Sequence, residues 1–140
     1  MIREFVLDDL EEIMGIWLEQ NIEAHAFIAK DYWYKNYALV ADLIPQAQIY
    51  VYVYAGKILG FIGLQTEYIA GLFVRQKYQG IGKKLLTYAK QRNKRLYLDV
   101  YCANQQAVSF YQKQGFVILD KQYIADVKQN QYHMIWNESH

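Results

Sequence analysis

The segment Val74-Arg75-Gln76-Lys77-Tyr78-Gln79-Gly80-Ile81-Gly82-Lys83-Lys84-Leu85 carries the clearest chemistry in the chain. A hydrophobic strand ends, a loop turns on two glycines, and an apolar-periodic stretch begins with two lysines. The first amides of a helix have no partner within the helix, and the helix dipole favours an anion there. A phosphorylated ligand suits such a place. No Asp or Glu lies between Tyr68 and Leu98, whereas Arg75 to Arg95 holds eight of the fifteen Lys and Arg residues. Eight acidic residues fall between Glu4 and Asp31. The formal net charge of +1 therefore hides a local basic patch.

Two well-known phosphate loops are excluded. A dinucleotide fingerprint wants a third glycine where Leu85 stands. A Walker loop wants a glycine where Lys77 stands, and Ser or Thr where Lys84 stands. Taken alone, the glycine pair is as compatible with a tight turn as with an anion cradle.

The elements that must hold this loop are legible from periodicity. Ile2 to Val6 reads as a strand. Asp8 or Asp9 can cap a helix carrying Leu10, Ile13, Met14, Trp17 and Leu18 at helical spacing. A less regular helix covers Ala26 to Leu43, and Pro45 marks its exit. Ile49 to Tyr54, a turn at Ala55-Gly56-Lys57, and Ile58 to Leu64 form a hairpin. Tyr68 to Val74 is a strand, Ile81 to Arg92 a helix, and Leu96 to Tyr101 a strand. That unit is a parallel crossover, expected to be right-handed. Asn104 caps a helix to Gln114, and Gly115 suits its left-handed end. Phe116 to Ile124 and Gln131 to Trp136 read as two closing strands. Many of the fourteen tyrosines alternate along strands, as at Tyr50, Tyr52 and Tyr54, and read as sheet packing rather than base stacking.

The segment Asn104-Gln105-Gln106-Ala107-Val108-Ser109-Phe110-Tyr111-Gln112-Lys113-Gln114-Gly115-Phe116 follows a strand and gives the glycine loop a meaning. Together the two segments resemble the GNAT family of N-acetyltransferases. That family carries Gln/Arg-x-x-Gly-x-Gly/Ala and later Asn-x-x-Ala-x-x-Phe-Tyr-x-x-x-Gly-Phe. The second pattern is matched at every named position; Leu72-Phe73-Val74 and the element order match too. The resemblance spans Ile2 to Trp136. It implies an α/β fold: a mixed, mostly antiparallel central sheet of about seven strands, a β-α-β acetyl-coenzyme A-binding core, and helices on both faces. One domain over residues 1–140 is the expectation. One feature departs from the family: the loop is two residues short. The Gln/Arg position falls on Gln79 in a shortened loop, or on Lys77 at the usual spacing.

The resemblance implies acetyl-coenzyme A as donor and a primary amine of a small molecule or peptide as acceptor, by direct attack in a ternary complex. Donor-binding residues would be Leu72, Phe73, Val74, Gln79, Gly80, Ile81, Gly82, Lys83, Lys84 and Asn104, with Arg75, Lys77 and Lys83 near the ribose phosphate. Tyr111 matches the family tyrosine that protonates the departing thiolate. An alkyl ammonium has a pKa near 10 and must lose a proton before it attacks. Glu67, the only carboxylate close by in sequence, is one base; His25, between the first two helices, is another. His25, Phe27 and Trp33 are candidates for the acceptor pocket, although Phe27 and Trp33 also suit the apolar face of the second helix. The acidic first helix suits a polyamine, an aminoglycoside or a lysine-bearing peptide, and equally a solvated face.

A non-catalytic acyl-coenzyme A-binding module is the competing reading, favoured by the short loop and the lack of an evident base. His25, His133 and His140 are too scattered for a metal site. Cys102 is expected to be buried and inert. One cysteine, no apolar run near the roughly 20 residues of a membrane span, and near-neutral charge suggest a cytoplasmic protein that engages neither membrane nor nucleic acid. A homodimer is plausible from the aromatic-rich strands.

Overall fold

The computed structural model describes residues 1–75 and 80–138. Seven strands form one sheet: β1 (Ile2–Glu4), β2 (Gln48–Tyr54), β3 (Lys57–Gln65), β4 (Tyr68–Val74), β5 (Arg95–Tyr101), β6 (Val117–Ile124) and β7 (Gln129–Asn137). Their order across the sheet is β1-β2-β3-β4-β5-β7-β6. Every pairing is antiparallel except that of β4 with β5. Four helices complete the fold: α1 (Leu10–Ala24), α2 (Lys30–Leu43), α3 (Ile81–Lys90) and α4 (Gln105–Lys113). The expected mixed sheet and element order are both present.

Period-two alternation sends successive residues to opposite sheet faces. Tyr50 and Ile62 join a core with Ile81, Leu85, Leu86 and Ala89 of α3, together with Leu96, Leu98 and Met134. Their neighbours Val51 and Phe61 join a second core with Ile13, Met14, Ile16 and Trp17 of α1 and Trp33 of α2. The tyrosine repeat of β2 is a packing device at its first position, where Tyr50 is buried with its ring 4.8 Å from that of Tyr88. Tyr54, at the hairpin end, is exposed.

Local chemistry sets the turns. Ala55 and Gly56 both have positive φ, 52° and 76°, as a two-residue hairpin turn requires. Gly115 ends α4 at φ 95°, and its amide closes on the Gln112 carbonyl at 3.0 Å. Asn104 caps α4 as expected, its side chain accepting from the Ala107 amide at 3.3 Å.

Several boundaries differ from the sequence expectation. Strand β1 stops at Glu4, and a 3-10 turn at Leu7–Asp9 leads into α1. Asp9 is not a side-chain cap for α1. Its carboxylate instead accepts from the Val6 amide at 2.9 Å and from both terminal nitrogens of Arg3 at 2.8 and 3.0 Å. Those bonds hold the Asp9 carboxyl below its usual range despite burial. The second helix begins at Lys30 rather than Ala26, so Phe27 lies in the connection before it. Cys102 is half-buried rather than fully enclosed.

Candidate active site

The parallel strands β4 and β5 are registered at only two pairs, Tyr68 with Tyr97 and Ile69 with Leu98. Beyond that point they diverge. The cause is visible on the other edge of β4. Gly63 pairs with Gly71 and Leu64 with Ile69, so Ala70 is an extra residue on β4. Such a bulge bends its strand and ends regular pairing. The gap between Ala70–Val74 and Asp99–Tyr101 becomes the floor of a cleft of about 740 Å3.

Residues from α1, α2, α3 and α4 form the rest of the wall. At the α3 end, Gly80 adopts φ 67°, which favours glycine, and caps the helix. The Lys84 amide reaches back to the Gly80 carbonyl at 2.9 Å, so the amides of Ile81, Gly82 and Lys83 precede the first helical bond. Gly82 and Lys83 line the cleft. A Cβ on Gly82 would meet only ordinary contacts, 3.6 Å to Phe110 and to Val74. The protein's own packing therefore does not demand glycine there, and the bare backbone leaves room beside the helix start. A diphosphate fits this arrangement: free amides, a helix dipole and a bare backbone converge on it.

Of the donor-binding residues expected from the sequence, Leu72, Phe73, Val74, Gly80, Ile81, Gly82, Lys83 and Asn104 all line the cleft. Lys84 does not; its ammonium lies 5.6 Å from the centre of the Tyr52 ring. Gln79 and Lys77 lie outside the described residues, as does His140. Arg75 follows β4 with its Nε buried and unpartnered among the described residues.

Tyr111 reaches the cleft from the last turn of α4. Its ring is held edge-on by Phe110 at 5.3 Å and by Phe116 at 5.6 Å. Burial pushes its phenol well above the usual value. The hydroxyl thus keeps its proton throughout the neutral range and is a donor.

His25 sits just after α1, inside an aromatic enclosure. Its ring stacks on Trp33 at 5.2 Å and meets Tyr101 and Phe27 edge-on at 5.2 and 5.6 Å. Nδ1 faces the Asn21 carbonyl at 3.1 Å and so donates to it. Nε2 then accepts from the Asn104 amide nitrogen at 3.4 Å. Desolvation lowers its pKa, which keeps the ring neutral. Both nitrogens are engaged, and the ring ties α1 to the start of α4. His25 and Trp33 line the cleft, whereas Phe27 lines a smaller adjoining hollow with Glu23 and Asn104. Tyr101 is also raised, to about 12, by desolvation and by Tyr32 nearby.

Glu67 is not part of the cleft lining. Its two oxygens receive Arg95 Nε at 3.1 and 3.2 Å, in an exposed ion pair across the starts of β4 and β5. A different carboxylate faces the cleft: Asp99, in the middle of β5. It accepts from the Tyr68 hydroxyl at 2.8 Å and pairs with His133 Nδ1 at 2.9 Å. Sequence reasoning missed this group. The signal available was the alternation Tyr97-Asp99-Tyr101, which sets Asp99 on the face opposite buried Leu98 and Val100.

Among the described residues there is no cluster of three His, Cys, Asp or Glu side chains suited to a metal ion, and no helix long and apolar enough to cross a membrane.

Comparison with known proteins agrees with this geometry. The chain is 42% identical to peptidyl-lysine N-acetyltransferase YiaC of Escherichia coli (strain K12) over 124 residues, 86% of this chain and 85% of that one. The solution structure of apo-form YjaB from Escherichia coli superposes with a TM-score of 0.86 at 25% identity, covering 99% of this chain and 98% of that one. An acetyltransferase of Bacillus anthracis str. Ames, solved in complex with acetyl coenzyme A, matches 66% of this chain and 63% of its own at 27% identity and a TM-score of 0.60. The model of the acetyltransferase (GNAT) family matches residues 7–116. The chain belongs to the GNAT family of acetyltransferases, and it is an N-acetyltransferase that uses acetyl-coenzyme A as its donor.

Proposed function

We propose that this protein acetylates the side-chain amine of lysine in a peptide or protein. The observation that carries the reading is the splay of β4 from β5 after Ile69 and Leu98. A strand edge, the start of α3 and Tyr111 then line one continuous cleft. The lysine acceptor is supported by the relative 42% identical to this chain, named a peptidyl-lysine N-acetyltransferase.

The donor supplies a thioester whose carbonyl carbon accepts the amine. In this reading the amides of Ile81, Gly82 and Lys83 hold the diphosphate, and the unpaired edge of Ala70 to Val74 holds the arm. Tyr111 gives its proton to the departing sulfur. The phenol is a weaker acid than the thiol it forms, so this transfer accompanies C–S cleavage and the proton lost by the new amide nitrogen restores it. His25 and Trp33 offer an apolar, π-rich surface for the four-carbon lysine arm.

The test is incubation with acetyl-coenzyme A and a panel of lysine peptides and small amines, read by peptide mass and thiol release. Acetylation at lysine Nζ is expected. Turnover confined to small amines would overturn the peptide acceptor. Coenzyme binding with no turnover on any amine would favour a binding module. Tyr111→Phe should lower turnover about 100-fold and leave the donor Kd unchanged.

A further inference from the structure

Glu67 and His25, the two bases legible in the sequence, are both committed to other partners, yet the ammonium must still lose a proton. Asp99 and Tyr68 line the cleft, and His133 lies behind Asp99, outside the lining. Asp99 faces the cleft, and β7 lies against β5 in a register that sets His133 directly across from it. Asp99 Oδ1 meets His133 Nδ1 at 2.9 Å, and Asp99 Oδ2 receives the Tyr68 hydroxyl at 2.8 Å. Nδ1 faces a carboxylate and so carries the ring proton, which leaves the lone pair on Nε2. That nitrogen makes no hydrogen bond among the described residues. The ring is held flat against Tyr97, 5.8 Å between centres and 6° from parallel. The His133 side chain is 32% exposed, so a proton placed there has a path to water.

We propose that Asp99 and His133, with Tyr68 holding the second carboxylate oxygen, form the site that receives the acceptor's ammonium and takes its proton. The inference rests on the amine-acetylation reading above. Asp99 draws the cation to the cleft floor. An N–H bond of R–NH3+ breaks beside Asp99, and the proton passes through water to His133 Nε2. The free amine then forms the C–N bond as the C–S bond breaks. The imidazolium, paired with Asp99, afterwards releases its proton to solvent. One proton leaves per amide made, as the overall reaction requires.

The groups around His133 favour this duty. Asp99 faces it from β5 and Asp120 stands across from it on β6, so two acids flank it in register. Tyr97 covers one ring face, and Tyr68 acts on it only through Asp99. No cation is among these neighbours.

The experiment is a pH profile of kcat and kcat/KM for a lysine peptide, with wild type, His133→Gln and Asp99→Asn, beside the donor Kd of each. Wild type should show an ascending limb that depends on His133. His133→Gln should lose about 100-fold at pH 7, recover most of it near pH 10, where free lysine amine is abundant, and bind acetyl-coenzyme A unchanged. Asp99→Asn should also raise the peptide KM. A His133→Gln profile that keeps the wild-type limb and rate would overturn the inference. So would a loss that persists undiminished to pH 10, which would mark a merely structural role. If wild type itself acetylates no amine at any pH, the fault lies with the proposed function instead.

Discussion

Two histidines, one lining the cleft and one behind its Asp99, live in opposite circumstances. His25 is enclosed by Trp33, Tyr101 and Phe27, has both nitrogens bonded, and is held neutral by desolvation. His133 lies on an open sheet face with one nitrogen on a carboxylate and the other free. The difference comes from the sheet. Helices α1 and α2 cover the strands from β2 to β4 on that face, and Tyr101 of β5 is packed against them. The cover ends there. The same imidazole becomes a structural bolt under the helices and a proton-handling group beyond their edge. Burial holds the His25 ring neutral, whereas His133 keeps one nitrogen open to solvent.

The comparison can be broken in order of effect size. At pH 7, His133→Gln should cost about 100-fold in turnover, while His25→Gln should cost less than about 10-fold and act mainly through the peptide KM. Equal losses, with the same pH profile, would erase the distinction between the two rings. Trp33→Ala removes the floor under His25 and leaves a cavity beside Trp17. It should destabilise the fold by about 3–5 kcal/mol in denaturant melts, and a loss under about 1 kcal/mol would show that the enclosure is loosely packed.

A pH effect on stability should come from His25. Its folded pKa lies below the unfolded value of about 6.5, so the unfolded chain binds the proton first. The stability associated with the neutral ring is intact above about pH 6.5 and is lost as pH falls below it, down through the folded value. The melting temperature of wild type should therefore fall more steeply from pH 7 to 5 than that of His25→Gln. Parallel curves would mean that the ring is not held neutral. The smallest effect is expected at Glu67→Gln, where turnover should stay within about twofold, because an exposed pair with Arg95 couples weakly to anything else. A loss comparable to that of His133→Gln would return Glu67 to the role of base.

Much of the donor half was legible because its chemistry is local. A left-handed glycine, a helix start and an Asn cap are each decided within four or five residues. Gly80, Asn104 and Gly115 accordingly stand where the sequence placed them. The boundary at α2 was harder. Ala26 to Ala29 are compatible with a helix, and the chain turns there because the α1 end closes on itself, with the His25 amide bonded to the Asn21 carbonyl at 3.0 Å and the Ile28 amide to the His25 carbonyl at 2.9 Å. Glu67 was attractive by proximity in sequence. Yet strand β4 spans seven residues at about 3.3 Å each, so Glu67 and Val74 lie at opposite ends of it.

The sequence by itself determined that this chain folds as a GNAT domain, with a left-handed glycine at the start of α3 and a phenol on α4. Those features depend on spacing along one segment, and spacing is what a sequence records. The tertiary structure decided which acid and which imidazole meet beside the cleft. Asp99 and His133 are separated by 34 residues and two other elements. They become neighbours only because β7 inserts between β5 and β6, in one register of several that strand-length apolar patterns allow. A shift of one residue would have turned His133 into the core and brought Met134 to the cleft side, so the burial of Met134 is what holds the base in place.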